Sequence, residues 1–235
     1  MRGRMMRIAQ LFLLMTLAAS PATAAGPCAA PSLTLAAAVN AALDVTLAAP
    51  CHGGEAVILS HAGLGFRVRL DAQGRYGARL PALDPGGDLS ARFDDGTMVD
   101  AARPVPDLGD HRRLTLATRG GAPLRLQAGV GVRLTLLGDP TLPAPQLLQI
   151  ADLPPGLPQP GSPPPDLALI ADVTPQSCGH DLLATTLLTA GTAAPRSDAI
   201  SLAMPDCAPG AGAGHLSLDL SAQILAAPPP PGTAP

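Results

Sequence analysis

Tryptophan and lysine are absent from this 235-residue chain, glutamate occurs once, at Glu55, and aromatic residues make up 2% of the sequence. Protein-interface hot spots and stacking platforms for single-stranded nucleic acid lean on aromatic side chains, so their scarcity argues against a lectin and against a nucleic-acid binder. The use of Arg, Asp and Ala in place of Lys and Glu is what a GC-rich genome produces. Catalytic signatures are missing as well. The chain has no Gly-x-Ser-x-Gly, no His-Glu-x-x-His and no Gly-x4-Gly-Lys, which removes the common sequence grounds for a serine hydrolase, a zinc protease or a nucleotide-driven motor. Neither Cys-x-x-Cys nor Cys-x-x-Cys-His occurs, so thiol redox and c-type haem attachment lack their usual ligands.

What the chain does carry begins with an export signal. Arg2, Arg4 and Arg7 precede the apolar run IAQLFLLMTLAA, and Ala22-Thr23-Ala24 offers an Ala-x-Ala cleavage site. The apolar run is shorter than the roughly 20 residues of a membrane-spanning helix. Pro27 before Cys28 departs from the small residue a lipoprotein signal requires. The expectation is a signal peptide over 1–24, export to the periplasm or beyond the cell without lipidation, and no integral membrane segment after cleavage. The exported chain then has 12 arginines against 18 acidic residues, a net charge near −6, which opposes binding to a polyanion such as nucleic acid.

Alternation of period two dominates the rest of the chain. Leu33 to Leu47 alternates apolar and small or polar residues around Asn40, which predicts two short strands despite the alanines. Phe66, Val68 and Leu70 share one face, the stretch DAQG (71–74) follows, and Tyr76, Ala78 and Leu80 share a face after it. This pattern predicts a hairpin over 66–80. A second hairpin is expected to turn on DDG (94–96), and the run 124–136 is expected to bend at Gly129 and Gly131. Ten prolines between Asp139 and Pro165 disfavour a central strand over most of that span and read as a semi-rigid linker. Alternation resumes over 166–173, 181–190, 199–204 and 215–225, and the tail is APPPPGTAP. The predicted fold class is all-β, with two small disulfide-stapled antiparallel β-sandwich-like domains after the signal peptide. Their expected bounds are 25–138 and 166–226, separated by a Pro-rich linker over 139–165 and followed by a disordered tail over 227–235.

Four cysteines, Cys28, Cys51, Cys178 and Cys207, allow three pairings, and spacing alone does not choose among them. The predicted hairpins do choose. A turn between Asn40 and Ala41 places Cys51 opposite about residue 30, and a turn near Ala193 places Cys207 opposite about residue 179. The expected cystines are therefore Cys28–Cys51 and Cys178–Cys207, each closing the open end of a hairpin where Cα atoms come within about 6 Å. A metal reading of Cys51-His52 and Cys178-Gly179-His180 lacks the Cys-x2–4-Cys knuckle of zinc sites, so no metal and no cofactor is expected.

Two further candidates have functional readings. On one hairpin, Arg67, Arg69, Arg75 and Arg79 would share a face and form an anion patch, and the plainer reading is a solvated face offset by Asp71, Asp84 and Asp88. DDGT (94–97) and LDAQG (70–74) lack the full alternating-oxygen loop of a calcium site and read as turns. Ser60 and His61 are adjacent on a strand, so their side chains point to opposite faces and form no dyad. No enzyme is expected.

The stretch APCHGGEAVILSHAGLGFRVRLDAQGRYGARLPAL (49–83) resembles the carboxypeptidase regulatory-like, or prealbumin-like, β-sandwich modules through Asp71, Gly74, Tyr76 and Pro81. TPQSCGHDLLATTL (174–187) and LAMPDCAPG (202–210) resemble a family of short exported bacterial proteins that keep a Cys-His pair in the first domain. Members often carry the label translocase. The resemblance implies architecture and export and adds no catalytic residue. The expected function is a non-catalytic, periplasmic or secreted binding or adaptor module whose partner is an envelope protein or glycan. The alternative is a periplasmic accessory of protein translocation.

Overall fold

The computed structural model describes residues 28–153, 166–191, 193–207 and 214–221. The expected signal peptide with its cleavage site, residues 154–165 and the Pro-rich tail lie outside the described residues. Among the described residues the fold is all-β, with fifteen strands in four antiparallel sheets and one short 3-10 turn at Pro106–Asp110. No helix among them is long and apolar enough to cross a membrane.

The first sheet runs β1 (Ser32–Ala38), β2 (Ala42–Ala48) and β5 (Arg75–Pro81). The β1–β2 hairpin turns at Asn40 and Ala41, both at positive φ. Ala41 lacks the freedom of glycine and is held there by neighbours: its amide donates to Asp107 Oδ2 at 2.9 Å, and its carbonyl accepts from the Ala82 amide. The second sheet runs β4 (Leu64–Arg69), β3 (Ala56–His61), β6 (Asp88–Arg92) and β7 (Met98–Ala102). Leu43, Val45, Leu47 and Leu80 of the first sheet meet Val57, Leu59, Phe66, Val68, Leu89 and Ala91 of the second in one fully buried core. The alternation read in the sequence is the inward face of each strand in this sandwich.

The predicted 66–80 hairpin is corrected by the pairing. β4 bonds to β3 and β5 bonds to β2, so the chain crosses from one sheet to the other at DAQG instead of folding back beside itself. The crossing is an arch held by Asp71, whose Oδ1 accepts from the amides of Gln73 and Arg75 at 2.9 and 2.7 Å. Gly74 sits at φ 73°, and a Cβ there would lie 1.9 Å from the carbonyl oxygen of Ala49. The arch packs against the loop that carries Cys51.

The third sheet, β10 (Arg133–Leu137), β11 (Gln146–Leu153), β8 (Arg112–Arg119), β13 (Asp181–Ala190) and β14 (Arg196–Ala203), is covered on both faces at its centre. Ile150 and Leu187 flank Thr115 in register and, with Leu137 and Leu148, complete the core of the first two sheets. On the opposite face Leu114, Leu116, Ala151 and Leu188 pack against Leu124, Leu126, Leu167 and Leu169 of the fourth sheet. That sheet runs β15 (Gly214–Asp219), β12 (Leu167–Val173) and β9 (Leu124–Ala128). The bend expected at Gly129 and Gly131 is where the chain leaves the fourth sheet for the third. Gln149 on β11 braces the edge of β9, accepting from the Leu126 amide at 2.8 Å and donating to the Leu124 carbonyl at 2.9 Å.

Two expected boundaries change accordingly. The span 139–165 is not a linker throughout, because its Pro-free part, 146–153, forms β11, a strand bonded on both sides. The prolines before it, at 140, 143 and 145, follow the open edge of β4, where the Asp139 amide donates to the Arg67 carbonyl at 2.7 Å. The division at 138 also dissolves, since β8 pairs with β13 and β9 pairs with β12. The shift from one core to the other falls near the 3-10 turn, with the third sheet shared by both.

Candidate functional site: an acidic recess over a buried histidine

Both expected cystines are present. Cys28–Cys51 spans 5.9 Å and Cys178–Cys207 spans 5.1 Å between Cα atoms, and no described cysteine is free. The β1–β2 register sets Ser32 opposite Ala48, and continuing it brings Cys51 beside Cys28. The β13–β14 register does the same for Cys178 and Cys207. His52 has its own partners: Nδ1 lies 2.6 Å from Glu55 Oε2, and its ring packs tilted against Phe93 with ring centres 4.3 Å apart. The other oxygen of Glu55 accepts from the Asp94 amide at 3.0 Å, so the single glutamate ties the Cys51 loop to the DDG turn. Asp95 Oδ1 closes that turn on the Thr97 amide at 2.8 Å, and DDGT is occupied with turn chemistry. Among the described residues no three His, Cys, Asp or Glu side chains gather closely enough to hold a metal ion.

The four arginines do not gather. Arg67 and Arg69 belong to the second sheet, where they donate to the carbonyls of Pro143 and Gly54, each at 2.9 Å. Arg75 and Arg79 belong to the first, where Arg79 forks onto Asp44 at 2.8 and 3.1 Å. The anion-patch expectation depended on a single hairpin and is lost with it.

A recess of about 840 Å³ lies on the second sheet and the segment leading into it, lined by Ser60, Asp84, Asp88, Ser90 and Asp100 together with Leu89 and small residues. Its floor follows from register: Ser60 pairs with Ser90, and Ser90 pairs with Asp100. Two hydroxyls and a carboxylate therefore stand in a row across β3, β6 and β7. Gly65, the partner of Ser60 on β4, ends the row, with Gln146 Oε1 3.5 Å from where its Cβ would stand. Asp84 and Asp88 form the wall, with Asp84 Oδ1 accepting from the Gly87 amide at 2.9 Å. Among the described residues no arginine or histidine side chain lines the recess.

Beneath it His61 is 1% exposed. Its Nδ1 lies 2.7 Å from the Asp88 carbonyl and its Nε2 accepts from the Leu83 amide at 2.8 Å. This assignment makes the imidazole neutral, with its proton on Nδ1. Burial pushes its pKa below the ordinary histidine value, the Asp88 carbonyl and the Asp84 and Asp88 carboxylates act in the opposite direction, and Arg113 adds to the lowering. With both ring nitrogens bonded to backbone, His61 has no free lone pair for a nucleophile, and Ser60 faces the other side of the strand. The recess offers hydrogen-bonding and charge without an activated group.

A smaller recess of about 310 Å³ opens where the two cores meet, lined by Asn40, His111, Arg133 and Asp152. Beside it the buried guanidinium of Arg113 donates to the carbonyls of Asn40, Ala41 and Ala82 and to Asp152 Oδ1. The sequence pattern missed Arg113 and the Ser60–Ser90–Asp100 row. The partners of Arg113 lie 31 to 73 residues away, and the row exists only once β3, β6 and β7 are in register. Compared with known proteins, the chain matches no protein-family model, no curated protein and no solved structure.

Proposed function

We propose that the protein is a non-catalytic binding or adaptor module of the periplasm or the cell exterior, and that its acidic recess receives a cationic or hydroxyl-bearing group of an envelope protein or glycan. The observation that carries this reading is the Ser60–Ser90–Asp100 row walled by Asp84 and Asp88. Such a row supplies acceptors and hydroxyls at fixed spacing on a rigid sheet, a surface suited to recognition. The two cystines support an oxidising compartment. Membership of the family of short exported bacterial proteins, on residues 174–187 and 202–210, belongs to the same proposal. The translocation reading has only that family's label behind it, and no feature of the molecule favours it.

Mild cross-linking in intact cells, followed by purification, tests the proposal. The wild-type chain should recover one envelope component in near-stoichiometric amount, and the variant S90A/D100N should lose it while keeping its thermal transition. Equal recovery by both chains, or turnover of a substrate by the isolated protein, would set the proposal aside.

A further inference from the structure

The segment between β5 and β6 is gripped from two sides. His61 of the first core takes the Leu83 amide and the Asp88 carbonyl. From the third sheet, Thr189 Oγ1 donates to the Leu83 carbonyl at 2.8 Å and Arg113 Nη1 donates to the Ala82 carbonyl at 2.6 Å. One peptide segment thus carries several of the polar contacts between the halves, and one titratable ring holds its inner side.

A second observation concerns Asp84. Its Oδ2 is buried with no hydrogen-bond partner among the described residues, although it lies 3.4 Å from His61 Nδ1. An unpaired buried carboxylate oxygen is costly, and here it stands beside the one ring able to become a cation.

We propose that His61 is a proton-operated latch, exchanging its hold on the Leu83 amide for the Asp84 carboxylate and thereby loosening the segment that joins the two cores. The exchange needs one proton from solvent. That proton binds Nε2 and turns the acceptor of the Leu83 N–H into a donor, so two N–H groups face each other at 2.8 Å and the bond is lost. The imidazolium keeps its Nδ1–H, which already faces the Asp88 carbonyl and the waiting Asp84 Oδ2. The ring rotates toward that carboxylate, and Leu83 is left held by Thr189 alone. The charged groups that face the ring are Asp84 and Asp88 from the segment itself, which favour the cation, and Arg113 from β8, which opposes it. Burial, with a smaller contribution from Arg113, keeps the latch closed until the medium is more acidic than an ordinary histidine requires.

Nuclear magnetic resonance on the intact exported chain tests this, following the His61 ring nitrogens and the exchange protection of individual amides from about pH 7.5 to about pH 4.5. Protection of the Leu83 amide, corrected for intrinsic exchange, should fall by about tenfold per pH unit below the His61 midpoint. The Leu59 amide, on the same strand in the core, should show no further loss below that midpoint, because folded and unfolded chains then both carry the proton. D84N should move the His61 midpoint to lower pH, because the waiting carboxylate is gone. H61Q, which retains an acceptor and cannot titrate, should abolish the pH dependence at Leu83. Parallel loss of protection at Leu83 and Leu59 below the His61 midpoint, or an unchanged midpoint in D84N, would overturn the latch.

Discussion

Arg113 Nη1 stands 2.6 Å from the carbonyl oxygen of Ala82, a fully buried contact between β8 and a segment 31 residues before it. The same nitrogen reaches the Ala41 carbonyl at 2.8 Å, Nη2 reaches the Asn40 carbonyl at 2.7 Å, and Nε reaches Asp152 at 3.1 Å. One guanidinium thus serves the left-handed turn at Asn40 and Ala41, the β5–β6 segment and the third sheet. R113M removes the donor and leaves three carbonyls and a carboxylate without it, and should destabilise the protein by about 3–5 kcal/mol in urea unfolding. R113K should recover only part of the loss, because an ammonium cannot fork to four acceptors in fixed directions.

Each cystine closes the open end of a hairpin, joining partners 23 and 29 positions apart in sequence. In the chain-entropy account each bridge contributes about 3 kcal/mol by restricting the unfolded chain. The paired variant C28A/C51A should therefore lower the unfolding free energy by about that amount, and C178A/C207A by a similar amount. Non-reducing peptide mapping checks the pairing directly and should find no crossed bridge.

The arch at DAQG rests on a single glycine. Gly74 combines positive φ with a carbonyl 1.9 Å from any Cβ, and its own carbonyl accepts from the Ala49 amide at 2.8 Å. G74A should cost more than about 2 kcal/mol in chemical denaturation, since strain and a backbone clash coincide. G96A is the control: it shares positive φ but has open space around it, so it should cost only about 1 kcal/mol.

Acid should weaken the fold through His61. Its folded pKa lies below the unfolded value of about 6.5, so the unfolded chain binds the proton more readily. The stability it contributes is complete above that value and declines as pH falls toward the folded midpoint, by at most about 1.4 kcal/mol per pH unit. Urea midpoints at about pH 7.5 and about pH 5.5 should differ in the wild type and differ less in H61Q. The surface carboxylates with lowered pKa, such as Asp139 beside Thr141, lose their contribution only at lower pH, below the ordinary aspartate range near 3.9.

Local pattern carried much of this architecture. Alternation from Leu33 to Leu47 and from Asp181 to Ala203 set hairpin registers, and the cystines followed because register decides which residues oppose one another. Alternation states which face of a strand is apolar and leaves its partner open. That is why 66–80 reads as a hairpin while β4 and β5 stand in opposed sheets, both turning apolar faces inward. Proline density hid β11, since ten prolines in the span outweigh an eight-residue strand that contains none. The His61 and Arg113 clamps were illegible for another reason. They join residues 22 to 73 positions apart through backbone groups, and backbone acceptors leave no mark on sequence.

The central claim is that the third sheet makes the two cores one cooperative unit, although the sequence pattern separates them into two domains. Tyr76, the single tyrosine, packs against the first core, so its fluorescence reports that core alone while far-ultraviolet circular dichroism reports all four sheets. Equilibrium unfolding in urea, followed by both signals on one sample, tests the claim most directly. The account predicts coincident transitions in the wild type. A tyrosine transition displaced from the circular dichroism transition would contradict it and restore two independently folding domains.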